Sequence, residues 1–223
     1  MGFQCVSGTC VVACRRQSDG AGEASPLCLE IPSMPSHFIR EFIRNPRGTG
    51  AIAPSSPRLA REMVARMDIE AASVVVEYGP GTGAFTKEIL ARKNPAALYL
   101  AIENNPKMIS LFQGRFPGAL IFEDSVENVA RILKELGHSE ADCIVSGLPW
   151  ASFPFDLLDR ALTATHSVLR SGGHFSTFAY PPGNLMPSGK RLQKRLTSLF
   201  SRVHKSRVVW RNLPPAFVYH CVK

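Results

Sequence analysis

The sequence predicts an α/β protein: a doubly wound, mostly parallel seven-stranded sheet with a terminal antiparallel hairpin. Three observations carry this. Short apolar runs alternate with helix-length stretches from residue 73 onward. The first run enters a Gly-rich turn, Gly79-Pro-Gly81-Thr-Gly83. The last two runs, 207–213 and 216–222, have only Pro214 and Pro215 between them. Strands separated by helices pair in parallel and are covered on both faces. Strands joined by so short a turn run antiparallel.

The elements follow in order. Residues 1–33 are rich in Ser, Gly and Ala, lack periodicity and read as a disordered leader, with Met34 a candidate start. Residues 36–47 form an amphipathic helix with Phe38, Ile39, Phe42 and Ile43 on one face, ended by Pro46 and Gly48. Ser56 and Pro57 are an N-cap and first-turn proline for a helix through about Met67. Strands are expected at 73–79, 97–103, 119–124, 141–147 and 174–180. Helices at 84–92, 106–115, 126–136, 154–169 and about 189–200 follow them.

At 223 residues, 45% hydrophobic and 20% charged, the chain has material for one core with a short appendage. No apolar run approaches the roughly 18–20 residues of a membrane span. Secretory and myristoylation patterns are missing at the N-terminus, so a cytoplasmic chain is expected, touching the inner face of the membrane only peripherally. Cys143 and Cys221 lie in apolar runs and read as buried small hydrophobes. Cys5, Cys10, Cys14 and Cys28 form no CxxC pair, and no metal site is expected.

Charge is lopsided. Lys and Arg total 26 against 18 acids, giving +8, yet no acid follows Asp159 while eleven Lys or Arg stand between Arg160 and Lys223. Such a surface attracts an anionic partner: nucleic acid, anionic lipid or a phosphorylated substrate. A soluble enzyme of basic pI has the same composition.

Glu77-Tyr-Gly79-Pro-Gly81-Thr-Gly83 sits where the first strand turns into the first helix of the sheet. Glycines there let backbone approach a ligand and aim helix-terminal N–H groups at it. With Ala84 in the last small position the spacing nearly meets the dinucleotide pattern, so a nicotinamide enzyme stays open, although no hydride-site set is visible. Glu103 ends the second strand, placed to accept both hydroxyls of a ribose, and Asp124 ends the third, followed by Ser125. These acids line the carboxyl edge of the sheet, where such folds bind ligands. Asp124 would also serve simply to cap a helix.

Together with Ser146-Gly-Leu-Pro149-Trp150, this set resembles the class I S-adenosylmethionine-dependent methyltransferases. The resemblance implies S-adenosyl-L-methionine as cofactor, with Gly79, Gly81 and Gly83 near its methionine part, Glu103 on the ribose and Asp124 near the adenine amino group. Glu77 and Ser125 belong to the same set, and Asn104 and Met108 would flank ribose and adenine. It divides the chain into the leader 1–33, helices facing substrate and membrane at 34–70, and the methyltransferase domain at 71–223.

FIRNPRGTGAIAPSS, SGLPWASFP and RNLPPAFVY are similar to blocks of bacterial phospholipid N-methyltransferases, which convert phosphatidylethanolamine towards phosphatidylcholine. The resemblance implies a phospholipid substrate, an anionic membrane surface as partner, and a monomer. Ribosomal RNA adenine dimethyltransferases are the second resemblance; they carry Asn or Asp where this chain has Ser146. A third reading is a methyltransferase-fold binding protein without catalysis, against which the intact glycine and acid set speaks.

An amine acceptor must enter uncharged, and methylation then builds positive charge that aromatic faces stabilise. Trp150 and Tyr180, just past strand ends, are candidates for that role; Tyr180 would equally pack against Pro181 and Pro182. Ser146 is a candidate acceptor of a hydrogen bond. Arg211, before the NLPP block, is placed to meet a lipid phosphate, with Arg47 and Arg58 behind it, and each would also serve as a solvated surface arginine. His174 and His220 lie within strands and read as structural. The 36–47 helix is the expected membrane anchor, and the 190–202 stripe of Leu192, Leu196, Leu199 and Phe200 is expected to cover the sheet with its basic face towards head groups.

Overall fold

The computed structural model describes residues 55–181, 183 and 186–223. The expected leader, the 36–47 helix and Arg47 lie outside them. Helix α1 (Pro57–Val64) opens at the expected cap: the Leu59 N–H donates to Ser56 Oγ at 3.2 Å, and Pro57 occupies the first turn. It ends three residues before Met67, the expected terminus.

Five parallel strands follow: β1 (Val74–Tyr78), β2 (Leu98–Glu103), β3 (Leu120–Glu123), β4 (Ala141–Ser146) and β5 (Leu169–Ala179). Between them run α2 (Ala84–Arg92), α3 (Pro106–Arg115), α4 (Val129–Glu135) and α5 (Phe155–Val168). Helix α6 (Pro187–Leu199) leads to β6 (Arg202–Lys205) and β7 (Phe217–Val222). The seven strands are ordered β3-β2-β1-β4-β5-β7-β6, with β7 antiparallel to both of its neighbours.

The strand pleat divides the core in two. Val74, Val76, Ile144 and Phe175 pack against α4, α5 and α6 on one face, while Val75, Tyr99, Cys143 and Val218 pack against α1, α2 and α3 on the other. All five residues of β1 are buried, as a central strand covered on both sides requires. Cys143 and Cys221 are buried free thiols, as expected. His174 and His220 lie in β5 and β7 on the α1 face, with Nε2 atoms 3.4 Å from Asp68 and 3.6 Å from Glu62 respectively. No described helix is long and apolar enough to cross a membrane.

Two boundaries differ from expectation. The sixth strand is Arg202–Lys205, not 207–213. RVHK is exposed at three of its four positions, so it carries no apolar signal, and it pairs with β7 only because it edges the sheet. The apolar run 207–213 is instead a folded connection touching the sheet at one bridge, Val209 with Ala216. The fifth strand begins at Leu169 rather than 174, because the Gly172–Gly173 pair lets the chain shift register between Ala141 and Cys143 and keep pairing.

The α6 stripe covers the sheet as expected: Leu192, Leu196 and Phe200 are buried, Lys190, Arg191 and Lys194 exposed. Leu196→Ala should therefore cost about 2–5 kcal/mol. Lys194→Ala should stay within about 0.5 kcal/mol. Urea denaturation of the two variants measures both.

Candidate active site

The Gly-rich loop is fastened between its neighbours. The Gly79 N–H donates to the Ile102 carbonyl of β2 at 2.9 Å, and the Gly147 N–H donates to the Tyr78 carbonyl at 2.7 Å. Gly79, Gly81 and Gly83 have φ of 60°, 54° and 80°, a region side chains disfavour. Around Gly81 a Cβ would meet nothing within 4 Å, so this turn faces open space. At Gly147 a Cβ would lie 2.5 Å from the Gly79 carbonyl oxygen; the fourth-strand block reaches the loop only as glycine. Arg115 donates to the Thr82 carbonyl at 2.7 Å from α3.

Beneath the loop Glu77 is completely buried. Its Oε2 accepts from Tyr99 at 2.6 Å and Thr86 at 2.8 Å, while Oε1 has no partner among the described residues. Burial pushes the carboxyl up to about 7, against the pull of those two hydroxyls. Sequence reasoning missed Thr86 and Tyr99, which only the parallel pairing of β1 and β2 and the turn of α2 bring to one point.

Glu103, half-buried at the end of β2, accepts through Oε1 from the Asn104 and Asn105 N–H groups at 3.0 Å each. Burial raises its carboxyl, opposed by those donors and by the Gly81 N–H. Glycine loop and ribose candidate are thus adjacent. Asn104 is exposed beside them and Met108 half-buried on α3.

Asp124 follows β3 next door, its N–H donating to the Glu103 carbonyl at 3.1 Å. Its Oδ1 accepts from the Ser125 N–H and Asn128 Nδ2, each at 2.6 Å, and its Oδ2 pairs with Arg131. Asn128, then Ser125 and Arg131, hold this carboxyl below its ordinary range. Both oxygens are thus engaged by Ser125, Asn128 and Arg131, while the cap of the turn that follows is Ser125, whose Oγ accepts from the Glu127 N–H at 3.3 Å. Asn128 and Arg131, four and seven positions on in the helical segment that follows, come back to the Asp124 carboxyl, and that spacing is the signal that would have found them.

Ser146 and Trp150 require a correction. Trp150 is 1% exposed and packs edge-on to Phe175 with centroids 5.9 Å apart. Its Nε1 donates to Ser146 Oγ at 2.8 Å. The ring lies in the core and offers no face to a substrate, and the hydroxyl expected to meet an acceptor is taken by the indole. A buried indole N–H needs a partner, and Ser146 is the one in reach. Tyr180 is half-buried against Phe178 with centroids 5.6 Å apart, and burial pushes its phenol up to about 12. Arg211 is exposed on the 206–216 connection and Arg58 exposed on α1. A cavity lined by Leu90, Lys93, Tyr99, Phe116 and Leu120 opens at the amino ends of β2 and β3, the edge opposite this chemistry. No group of His, Cys, Asp and Glu among the described residues is arranged to hold a metal.

A family model for a methyltransferase domain matches residues 76–177. The chain is 34% identical over 187 residues to ornithine lipid N-methyltransferase of Singulisphaera acidiphila, covering 82% of this chain and 93% of that protein. The chain belongs to the class I S-adenosylmethionine-dependent methyltransferases. Its sheet is that fold's. The SAM-dependent O-methyltransferase of Thermotoga maritima superposes with a TM-score of 0.59 at 14% identity, covering 82% of this chain and 71% of that one. TrmN of Thermus thermophilus superposes with a TM-score of 0.58 at 19% identity and 74% of this chain, which spans about half (48%) of TrmN. The methyltransferase's cofactor is S-adenosyl-L-methionine. Open space before Gly81, the orphan Glu77 Oε1 and the exposed side of Glu103 fit a cationic, ribose-bearing molecule.

A carboxyl raised by burial stabilises the fold fully below its unfolded value, and that contribution is lost as pH rises through the folded value. For Glu77, moving from 4.5 to about 7, the loss is roughly 3 kcal/mol across that window. His220, held down to about 4 by burial, contributes the opposite slope to both proteins, so the difference in urea-derived stability between wild type and Glu77→Gln is what should fall by that amount across this range.

Proposed function

We propose that this methyltransferase N-methylates the amine head group of a membrane lipid, with phosphatidylethanolamine and its methylated derivatives as substrates. The observation that carries the reading is the 34% identity to an ornithine lipid N-methyltransferase over nearly that protein's whole length. Ornithine lipid is the second substrate this favours. Both head groups pair an amine with an anion, phosphodiester or carboxylate, that a guanidinium recognises.

S-adenosyl-L-methionine supplies an electrophilic methyl group on a sulfonium. In this reading Gly81 gives it room, and Glu103 accepts from its ribose hydroxyls through the oxygen its own helix leaves free. Glu77, deep under the loop, offers Oε1 as a counter-charge that a cationic ligand draws into ionisation. Asp124 and Ser125 shape the adenine side through the turn that Ser125 caps and Asp124 braces by way of Asn128 and Arg131. Asn104 and Met108 border the same space.

On the acceptor side Arg211 meets the head-group anion, and Arg47 belongs to the same proposed set. Tyr180 stays protonated near neutrality, so it donates a hydrogen bond or offers a ring edge and does not serve as base. The incoming amine loses its proton through desolvation at the rim. Ser146 and Trp150 position the end of β4 from within the core. That arrangement disfavours the RNA reading, because base methylation of the ribosomal type needs an aromatic free to stack on the base. Peripheral attachment to an anionic membrane at its cytoplasmic side, as a monomer, completes the proposal.

Radiolabelled methyl transfer tests it, with phosphatidylethanolamine vesicles, ornithine lipid vesicles and unmethylated ribosomal RNA offered separately. Label is expected in phosphatidylethanolamine. Label in ornithine lipid alone moves the substrate to that head group, and label in RNA alone overturns the lipid reading. Glu103→Ala should weaken S-adenosylmethionine binding about tenfold or more in calorimetry, the loss of one or two hydrogen bonds to a charged acceptor.

A further inference from the structure

The two most exposed large apolar side chains among the described residues are Leu213, 78% exposed, and Trp210, 76%. Both sit on the 206–216 connection. Because β7 is antiparallel, its first residue Phe217 pairs with Ala179 at the end of β5, so this connection stands on the carboxyl rim beside Tyr180.

The connection is tied down from inside. Asn212 is 5% exposed; its Oδ1 accepts from the Ser56 N–H at 2.8 Å and its Nδ2 donates to the Pro214 carbonyl at 2.7 Å. Ser206 Oγ accepts from the Val218 N–H at 2.9 Å. Backbone and polar groups point inward, and the Trp and Leu are held outward with Arg207 and Arg211 exposed between and beside them.

The rest of the rim is alike. Phe155 opens α5 and Met186 caps α6, both at the carboxyl edge and 54% and 37% exposed. Arg191 lies over the Phe155 ring at 5.4 Å. Four of the six exposed large hydrophobics thus share the edge that holds the Gly-rich loop. The cations among them belong to the stretch that carries no acid after Asp159.

We propose that this rim, with Trp210 and Leu213 at its tip, inserts into the interface of an anionic phospholipid bilayer; the inference rests on the lipid-methylation reading. Tryptophan combines an apolar body with a polar N–H and suits the head-group boundary, leucine reaches the acyl chains, and arginines meet anionic heads. An RNA partner would use Trp210 for stacking but has no use for Leu213 or Met186. Docked this way, the cofactor edge faces the head groups directly.

The chain has two tryptophans, and Trp150 is buried, so Trp210 reports its own surroundings. With the full chain, phosphatidylglycerol vesicles should shift the emission to the blue and bromine-labelled acyl chains should quench it; Trp210→Phe should lose both changes. The double variant Trp210→Ala, Leu213→Ala should bind phosphatidylglycerol vesicles at least tenfold more weakly, with S-adenosylmethionine affinity and circular dichroism unchanged. Vesicle binding without quenching, emission already blue in the free chain, or quenching by ribosomal RNA and not by vesicles would each overturn the docking surface. Insertion of Trp210 with no methyl group reaching any lipid would support the surface and remove the functional reading, so the two fail separately.

Discussion

The hydrogen bond from the Gly147 N–H to the Tyr78 carbonyl, 2.7 Å long, is the constraint on which the rest of the site depends. It binds the exit of β4 to the exit of β1 where the Gly-rich loop begins. On the other flank the Gly79 N–H is taken by β2. With both flanks fixed, the loop folds through three positive-φ glycines and leaves its open side at Gly81. A side chain at position 147 would collide with the Gly79 carbonyl, so the glycine of the fourth-strand block is a requirement of packing as much as of chemistry.

That junction also explains why the fourth-strand block serves the fold rather than the acceptor. Having approached so closely, the chain turns sharply, and Trp150 drops into the core against Phe175. Its indole N–H needs an acceptor there, which Ser146 supplies at 2.8 Å. Asparagine or aspartate at 146 would bring a second polar atom into the same buried space. Serine therefore suits a tryptophan that is structural, and the acceptor must be recognised elsewhere on the rim.

Much of this was legible in the sequence, for identifiable reasons. Buried parallel strands are continuous apolar runs, and helices that cover them carry stripes, so β1 to β5 and α2 to α6 stood out. The cofactor side was legible because its backbone needs glycine and strand-end acids at fixed places. What escaped was of two kinds. Edge strand β6 is three exposed polar residues around one half-buried valine, and the apolar run after it is spent on a connection whose buried anchors are Ser206 and Asn212. Residue contacts made across elements, such as Thr86 and Tyr99 on Glu77, depend on register that no local pattern encodes. Asp124 lay between: either capping or ligand binding fitted its position, and the structure gives the cap to Ser125 while Ser125, Asn128 and Arg131 engage both Asp124 oxygens.

Asn212 links those missed contacts to the charge asymmetry. By accepting from Ser56 it joins the start of α1 to the connection before β7, so two segments far apart in sequence form one stiff corner of the rim. A stiff corner loses little entropy on docking, which leaves more of the attraction between its arginines and an anionic surface available as affinity. The acid-free stretch alone specifies only the sign of the partner. Large apolar side chains held outward on the same rim select among anionic partners, since a polyanion in water gives leucine and methionine nothing to enter. A bilayer gives both kinds of side chain a place, and it presents the amine at the height where the cofactor edge lies.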